Sequence, residues 1–160
     1  MSGRSVRSDD ASEGRCNCTA LRKATRRISQ LYDTALAPSG LKATQHAILA
    51  QIHLLQTTSV GSLASALVMD PGALAHTLKP LQRDDFIKIL PNKQDKRSRD
   101  IRLTRQGRAK LAETDALWLR AQAAFERSFG TAESAALRQA MALLASVAFS
   151  DQFDKLLEDQ

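Results

Sequence analysis

Residues Asn92–Gly107 read NKQDKRSRDIRLTRQG, in which six basic side chains surround Asp95 and Asp100 before apolar and polar residues begin to alternate. A solvated basic tract has no reason to alternate. The alternation is also present upstream: after Phe86, IKIL offers Ile87 and Ile89 as one apolar pair, and DIRLT offers Ile101 and Leu103 as the other. Pro91-Asn92 between them is a turn signal. The pattern predicts a two-stranded hairpin with a long basic tip.

The segment immediately before that hairpin changes period. In MDPGALAHTLKPLQRDDF, Asp70 suits a helix N-cap and Pro71 suits the first helical position, where its missing N–H costs nothing. Leu74, Leu78 and Leu81 recur at helical spacing as an inward stripe, leaving Gly72, Ala73, Ala75, His76, Lys79 and Arg83 for the other sides. Pro80 falls inside this helix and is expected to kink it, because its ring clashes with the carbonyl of His76. A shorter helix, VGSLASAL, precedes it, with Ser59 as N-cap. Two short helices with a tight junction describe a helix-turn-helix, and a helix-turn-helix followed by a basic hairpin is a winged helix.

The flanks are helical. CTALRKATRRISQLYDTAL spaces Leu21, Ala24, Ile28, Leu31 and Ala35 at three and four, and Pro38-Ser39-Gly40 ends it. A helix from Thr44 carries Ala47, Ile48, Ile52 and Leu55. Beyond Thr104, a further N-cap candidate, a long helix to Phe129 contains Leu111, Leu117, Trp118, Ala121 and Phe125. Gly130 stops it, Thr131 is read as the next cap, and one last helix follows, apolar on nearly every side. A helix so broadly apolar calls for a second partner, and a homodimer is expected.

Charge is concentrated. Residues 88–110 hold nine Lys/Arg against Asp95 and Asp100, a local +7, while the whole chain of 160 residues carries +6. A surplus confined to one stretch suggests a footprint for a polyanion. No apolar run approaches the roughly 18 to 20 residues needed to span a bilayer. Residues 1–14 have no apolar stretch to act as a secretion signal and are expected to form a disordered leader, with a cytoplasmic location. Cys16 and Cys18 make no disulfide framework.

Taken in order, these segments resemble the MarR family of bacterial transcriptional regulators across residues 16 to 157. DKRSRDIRLTRQG is similar to that family's wing, GLKATQHAIL to its second helix, SVGSLASALVMDPGALAHTLKPLQRDD to its helix-turn-helix and YDTALAPSGL to the exit of its first helix. The resemblance implies a mainly α fold with a small β-hairpin wing. It places a winged helix over about residues 40–104 in a single domain from 15 to 160. Dimerisation helices are expected at about 16–36 and 105–157. It further implies a homodimeric repressor that binds a palindromic operator in double-stranded DNA and needs no cofactor. Many members carry Ser or Thr and an Arg where this chain has Gly72, Ala73 and His76, so its operator sequence does not follow from theirs.

DNA contacts are accordingly expected from Gly72, Ala73, Ala75, His76, Lys79 and Arg83 on the recognition helix, and from Lys96, Arg97 and Arg99 on the wing. Small residues at the start of a helix let it lie close to base edges. A narrow wing tip can carry a guanidinium into the minor groove, and Arg97 matches the family's wing arginine. Lys96 and Arg99 suit phosphates.

Release of the operator has two candidate triggers. One is a small aromatic or carboxylate effector, for which Arg22, His46, His53 and Trp118 supply charge, hydrogen bonds and an aromatic face. The alternative is thiol chemistry. CTALRKATRRISQLY resembles the start of the family's organic-hydroperoxide sensors, with Cys18 at the reactive thiol and Tyr32 at a supporting tyrosine; a second supporting tyrosine falls on Ala43. Two helical residues two apart project about 200° apart, so Cys16 and Cys18 are not expected to share a metal. His46, His53 and His76 are scattered, and no metal site is expected. No nucleophile–base arrangement, glycine-rich phosphate loop or paired carboxylate argues for an enzyme. A DNA-binding protein of the same fold without a sensor function is the remaining class.

Overall fold

The computed structural model describes residues 16–92 and 98–159. It contains α1 (Asn17–Leu36), a 3-10 turn (Ala37–Ser39), α2 (Ala43–Leu55), β1 (Thr58–Ser59), α3 (Val60–Ala66) and α4 (Pro71–Arg83). There follow β2 (Ile87–Pro91), β3 (Arg99–Leu103), α5 (Arg105–Phe129), α6 (Thr131–Leu144) and α7 (Val147–Glu158). The reading of residues 1–14 lies outside the described residues.

The core sits in the winged-helix lobe. Ile48, Leu49 and Ile52 from α2, Leu63 from α3, and Leu74, Leu78 and Leu81 from α4 meet Ile87, Ile101 and Leu103 of the hairpin and Leu111 of α5, all buried. The inward stripe of α4 and both apolar pairs of the hairpin therefore fall where periodicity put them, Ile89 at the margin of the core. In α2 the buried face takes in His46 and Leu49, while Ala47 and Leu55 are exposed.

Local signals account for most boundaries. Asp70 accepts from the N–H of Ala73 at 2.9 Å, and Ser59 from Ser62 at 3.0 Å, so both cap as expected. The α4 helix runs through Pro80 to Arg83. Thr104 caps α5 by accepting from the N–H of Gly107 at 2.9 Å, and its hydroxyl donates back to the carbonyl of Asp85. Gly107 is required there: a Cβ at that position would lie 1.9 Å from the carbonyl oxygen of Phe86. The first turn of α5 is thereby pressed against the start of the wing.

Three elements differ from the sequence reading. The wing sheet has three strands, in the order β1-β3-β2, because Thr58 and Ser59 pair antiparallel with Ile101 and Asp100. The N-cap of α6 is Gly130, and Thr131 is already helical. The last helix is two, since Ser146 interrupts it: its hydroxyl donates to the carbonyl of Leu143 at 2.7 Å and accepts from Phe149 N–H at 3.2 Å. A serine that satisfies both broken ends is a local competitor to continuous helix.

Candidate nucleic-acid interface

Burial of Leu74, Leu78 and Leu81 fixes the rotation of α4, so Gly72, Ala73, Ala75, His76, Lys79 and Arg83 are all solvent-exposed. The turn from α3 into α4 is tight. Met69 N–H donates to the carbonyl of Ala64 at 2.9 Å, and Val68 adopts a left-handed backbone with φ 51°. A β-branched residue in that region is strained, and the strain is held by the packing of the two helices around it. Residues Gly72, Ala73 and Ala75 make the start of α4 low in relief, the shape needed for close approach to base edges. Lys79 adds a cation one turn on. Arg83 is engaged with Asp84 in a two-pronged pair, Nε–Oδ1 at 2.8 Å and Nη2–Oδ2 at 3.1 Å. That hydrogen bonding holds the Asp84 carboxyl below the usual carboxylate range. Arg83 is therefore the least available of the α4 cations.

In the wing, β2 pairs with β3 from Ile87↔Leu103 to Pro91↔Arg99. The strands are pinned near the tip by Asn92 N–H to the carbonyl of Ser98 at 3.0 Å, and by the Asn92 side-chain amide to Asp100 at 2.8 Å. Arg99 is exposed at the end of β3 nearest the tip. Lys96 and Arg97 lie outside the described residues. The described strands of the hairpin, β2 and β3, pack in the same lobe as α4.

The MarR family profile matches residues 41–98, which run from the residues just before α2 into the wing. The transcriptional regulator MosR of M. tuberculosis, solved in complex with DNA, is 33% identical with a TM-score of 0.76, covering 84% of this chain and 97% of that one. The chain belongs to the MarR family. Two more distant structures share the fold. A mutant MarR of E. coli complexed with operator DNA is 23% identical, with a TM-score of 0.73 over 85% of this chain and 95% of that one. The repressor CouR, bound to a 23-mer DNA duplex, is 22% identical, with a TM-score of 0.76 over 89% and 100%. No curated protein sequence matches. Membership of the MarR family makes this chain a DNA-binding transcriptional regulator rather than an enzyme.

The four effector candidates do not converge. His46 is buried on α2, with Nε2 2.8 Å from Asp115 of α5 and its ring stacked on Trp118 at 5.9 Å between centroids. His46 and Trp118 thus tie the winged-helix lobe to the long helix, and sequence reasoning had no signal for Asp115 as their partner. Arg22 lies on the exposed side of α1, in a shallow groove with Thr19, Lys23 and Arg26. His53 is exposed at the far end of α2, in a separate cleft with Arg102 and Arg108. A larger apolar groove of about 590 Å³, between the end of α1 and α5, is edged by Arg120 and Arg127.

Nor do Cys18 and Tyr32 meet within one chain. Both belong to α1, where fourteen residues span about 21 Å. The Tyr32 hydroxyl donates to Gln122 at 2.8 Å, and burial followed by the nearby Glu126 carboxylate raises its pKa. Cys16 is not helical as the angular argument assumed; it is the N-cap of α1, with φ −82° and ψ 105°. Its sulfur accepts from the Thr19 hydroxyl at 3.3 Å and the Thr19 N–H at 3.5 Å. Those donors, the hydroxyl foremost, hold its thiol below the ordinary range. Cys16 and Cys18 are both exposed. Among the described residues no group of three or more His, Cys, Asp or Glu could hold a metal, and no helix is long and apolar enough to cross a membrane.

Proposed function

We propose that the chain is a cytoplasmic homodimeric repressor that binds a palindromic operator and is released by a small aromatic or carboxylate effector. The observation that carries the DNA reading is the exposed low-relief face of α4 beside a hairpin that concentrates the chain's positive charge. Gly72, Ala73, Ala75, His76 and Lys79 serve the major groove, Arg97 the minor groove, and Lys96 and Arg99 the phosphates. Affinity then falls steeply with salt, because each neutralised phosphate releases counterions.

Support for the dimer comes from the helices outside the winged lobe. Val147 of α7 is 76% exposed, Leu143 of α6 is 61% exposed and Leu31 of α1 is 57% exposed. Monomers rarely leave apolar surface of that extent uncovered. The same reading takes residues 15–160 as a single domain, with dimerisation helices at about 16–36 and 105–157 flanking the winged helix. Two lobes related by a twofold axis read a symmetric site with fixed half-site spacing.

The test is selection of duplexes from a random-sequence pool by the purified chain. The expected result is an inverted repeat whose half-sites lie about one helical turn apart. Enrichment of unrelated sequences, or none, would overturn the operator reading.

A second reading, release by thiol oxidation, gains from the geometry of Cys16. The sequence directs attention to Cys18. The hydrogen-bond donors are instead at Cys16, where the start of α1 adds its own partial positive charge. Cys16 therefore joins Cys18 as a candidate, with Tyr32 occupied elsewhere.

A further inference from the structure

We propose that the cleft at the base of the wing, between the end of α2, β3 and the start of α5, binds a small oxyanion, with a compact organic acid as its source. The proposal deepens the effector part of the repressor reading by naming a site and a ligand chemistry. The cleft holds about 260 Å³ and is lined by His53, Gln56, Thr57, Arg102 and Arg108 over a floor of Ile52 and Leu103. That is the volume of roughly nine water molecules, room for a carboxylate on a small carbon frame.

Three nitrogen-rich side chains converge there from three elements. Arg108 donates to the Leu103 carbonyl at 3.1 Å, which anchors its guanidinium at the cleft. A guanidinium carries five N–H donors, so that single bond leaves it able to engage a ligand. Arg102 pairs only loosely with Asp100, at 3.9 Å. Asp100 also accepts from Asn92 toward the wing tip, and among the described residues no acidic side chain lines the cleft itself. Two guanidiniums beside an imidazole favour a planar oxyanion, because the fork of Arg matches the two oxygens of a carboxylate. The C-terminus of α2 opposes an anion, but with only about half a charge, and the N-terminus of α5 offsets it. Two full charges decide the sign.

The backbone carries a second mark at the same place. Gln56 has φ 62° and ψ −52°, and the Thr57 N–H donates to the carbonyl of Leu55 across it at 2.6 Å. This is the rare, strained γ-turn. The Gln56 side chain helps to hold it by donating to the His53 carbonyl at 2.6 Å. Strain of this kind is retained where the surroundings over-determine it, and it clusters at ligand clamps and switches. The turn leads directly into β1, which pairs with Ile101 and Asp100 and ends in Ser59, the cap of α3. An anion seated here contacts the joint between the wing and the helix-turn-helix. It does so at the hairpin's base, away from the tip.

The experiment is calorimetric titration of benzoate, and separately of inorganic phosphate, into the full chain at constant ionic strength, with chloride as the balancing salt. Saturable binding of benzoate, with Kd on the order of 1 mM, is expected, and binding of phosphate alone would overturn the organic-acid source. Arg102→Gln and Arg108→Gln should each weaken it about tenfold, the loss expected for a charge-assisted hydrogen bond. Arg102→Gln is the cleaner variant, since Arg108 also supports the Leu103 carbonyl. In parallel, the probe-free operator affinity of Arg102→Gln should fall by much less than its probe affinity, because Arg102 adds to the basic surplus of the hairpin but is none of the named DNA contacts. Absence of saturable binding by both probes overturns the proposal while leaving the operator reading intact. Binding unchanged in both variants also overturns it. Loss of operator affinity in Arg102→Gln as large as its loss of probe binding would assign the cleft to a DNA phosphate and sink the small-acid source.

Discussion

The winged lobe and the helices that flank it solve the burial problem differently. In the lobe, α4 is amphipathic and its three inward leucines are almost wholly buried within one chain. In α7 no residue is buried, although Phe149, Phe153, Leu156 and Leu157 recur at helical spacing. The amphipathic pattern is therefore equally clear in both, but only one pattern is satisfied by packing among the described residues. Periodicity reports that a face must be covered; it does not report by which chain.

The sharpest way to break that contrast is to remove one leucine from each region. Leu78→Ala, in the lobe, should destabilise the protein by about 2–5 kcal/mol through lost burial and a residual cavity. The loss should appear in denaturant midpoints with little change in slope. Leu157→Ala should cost far less within the protomer, and its effect should grow as protein concentration falls. Equal, concentration-independent losses would mean that α7 is covered from within its own chain.

A smaller but more specific effect is expected from Phe153→Asp. A carboxylate on the apolar face of α7 should shift the dimer toward monomer by tenfold or more, on the order of 1.4 kcal/mol or above. Sedimentation of wild type at micromolar concentration should give about twice the 17.5 kDa chain mass. The far-UV helical signal of the variant should be retained at high protein concentration. A wild-type monomer that binds an inverted repeat with full affinity would remove the dimer from the proposal.

Within the lobe, the contrast continues between the recognition helix and the wing tip. Arg97→Ala should weaken a selected operator by about 1–3 kcal/mol and relax the sequence preference at the position it reads. Lys96→Ala should act more uniformly and flatten the salt dependence, as a phosphate contact does. Wild-type affinity in Arg97→Ala, measured by gel shift, would move minor-groove readout away from the tip.

How far the sequence could be read follows the range of the interactions involved. The helix-turn-helix and the hairpin were legible because their signals are local: Asp70-Pro71 starts α4, and the period changes from helical to alternating at Ile87. Strand β1 was not legible. It is two residues long, and its partner Ile101 lies more than forty positions away. The break at Ser146 was hidden inside a continuous apolar run. For the sites, Lys79 and the small residues of α4 could be placed from the inward stripe alone. The bond from His46 to Asp115, and the convergence of His53 with Arg102 and Arg108, depend on tertiary packing. No local pattern announces either.

The smallest expected effect concerns the two cysteines, and it sharpens the comparison at the scale of one helical turn. Cys16 caps α1 and is hydrogen-bonded to Thr19, whereas Cys18 sits within the helix. A donor that stabilises the thiolate lowers the pH at which it forms, so alkylation of Cys16 should reach its half-maximal rate below the pH of an ordinary thiol. Removing the donor has the opposite sign: Thr19→Val, in a Cys18→Ser background, should move that midpoint upward. Iodoacetamide labelling followed by mass spectrometry across pH 6–10 measures it. Identical midpoints with and without the Thr19 hydroxyl would return Cys16 to the role of an ordinary exposed thiol. The thiol reading would then rest on Cys18 alone, without Tyr32 beside it in the same chain.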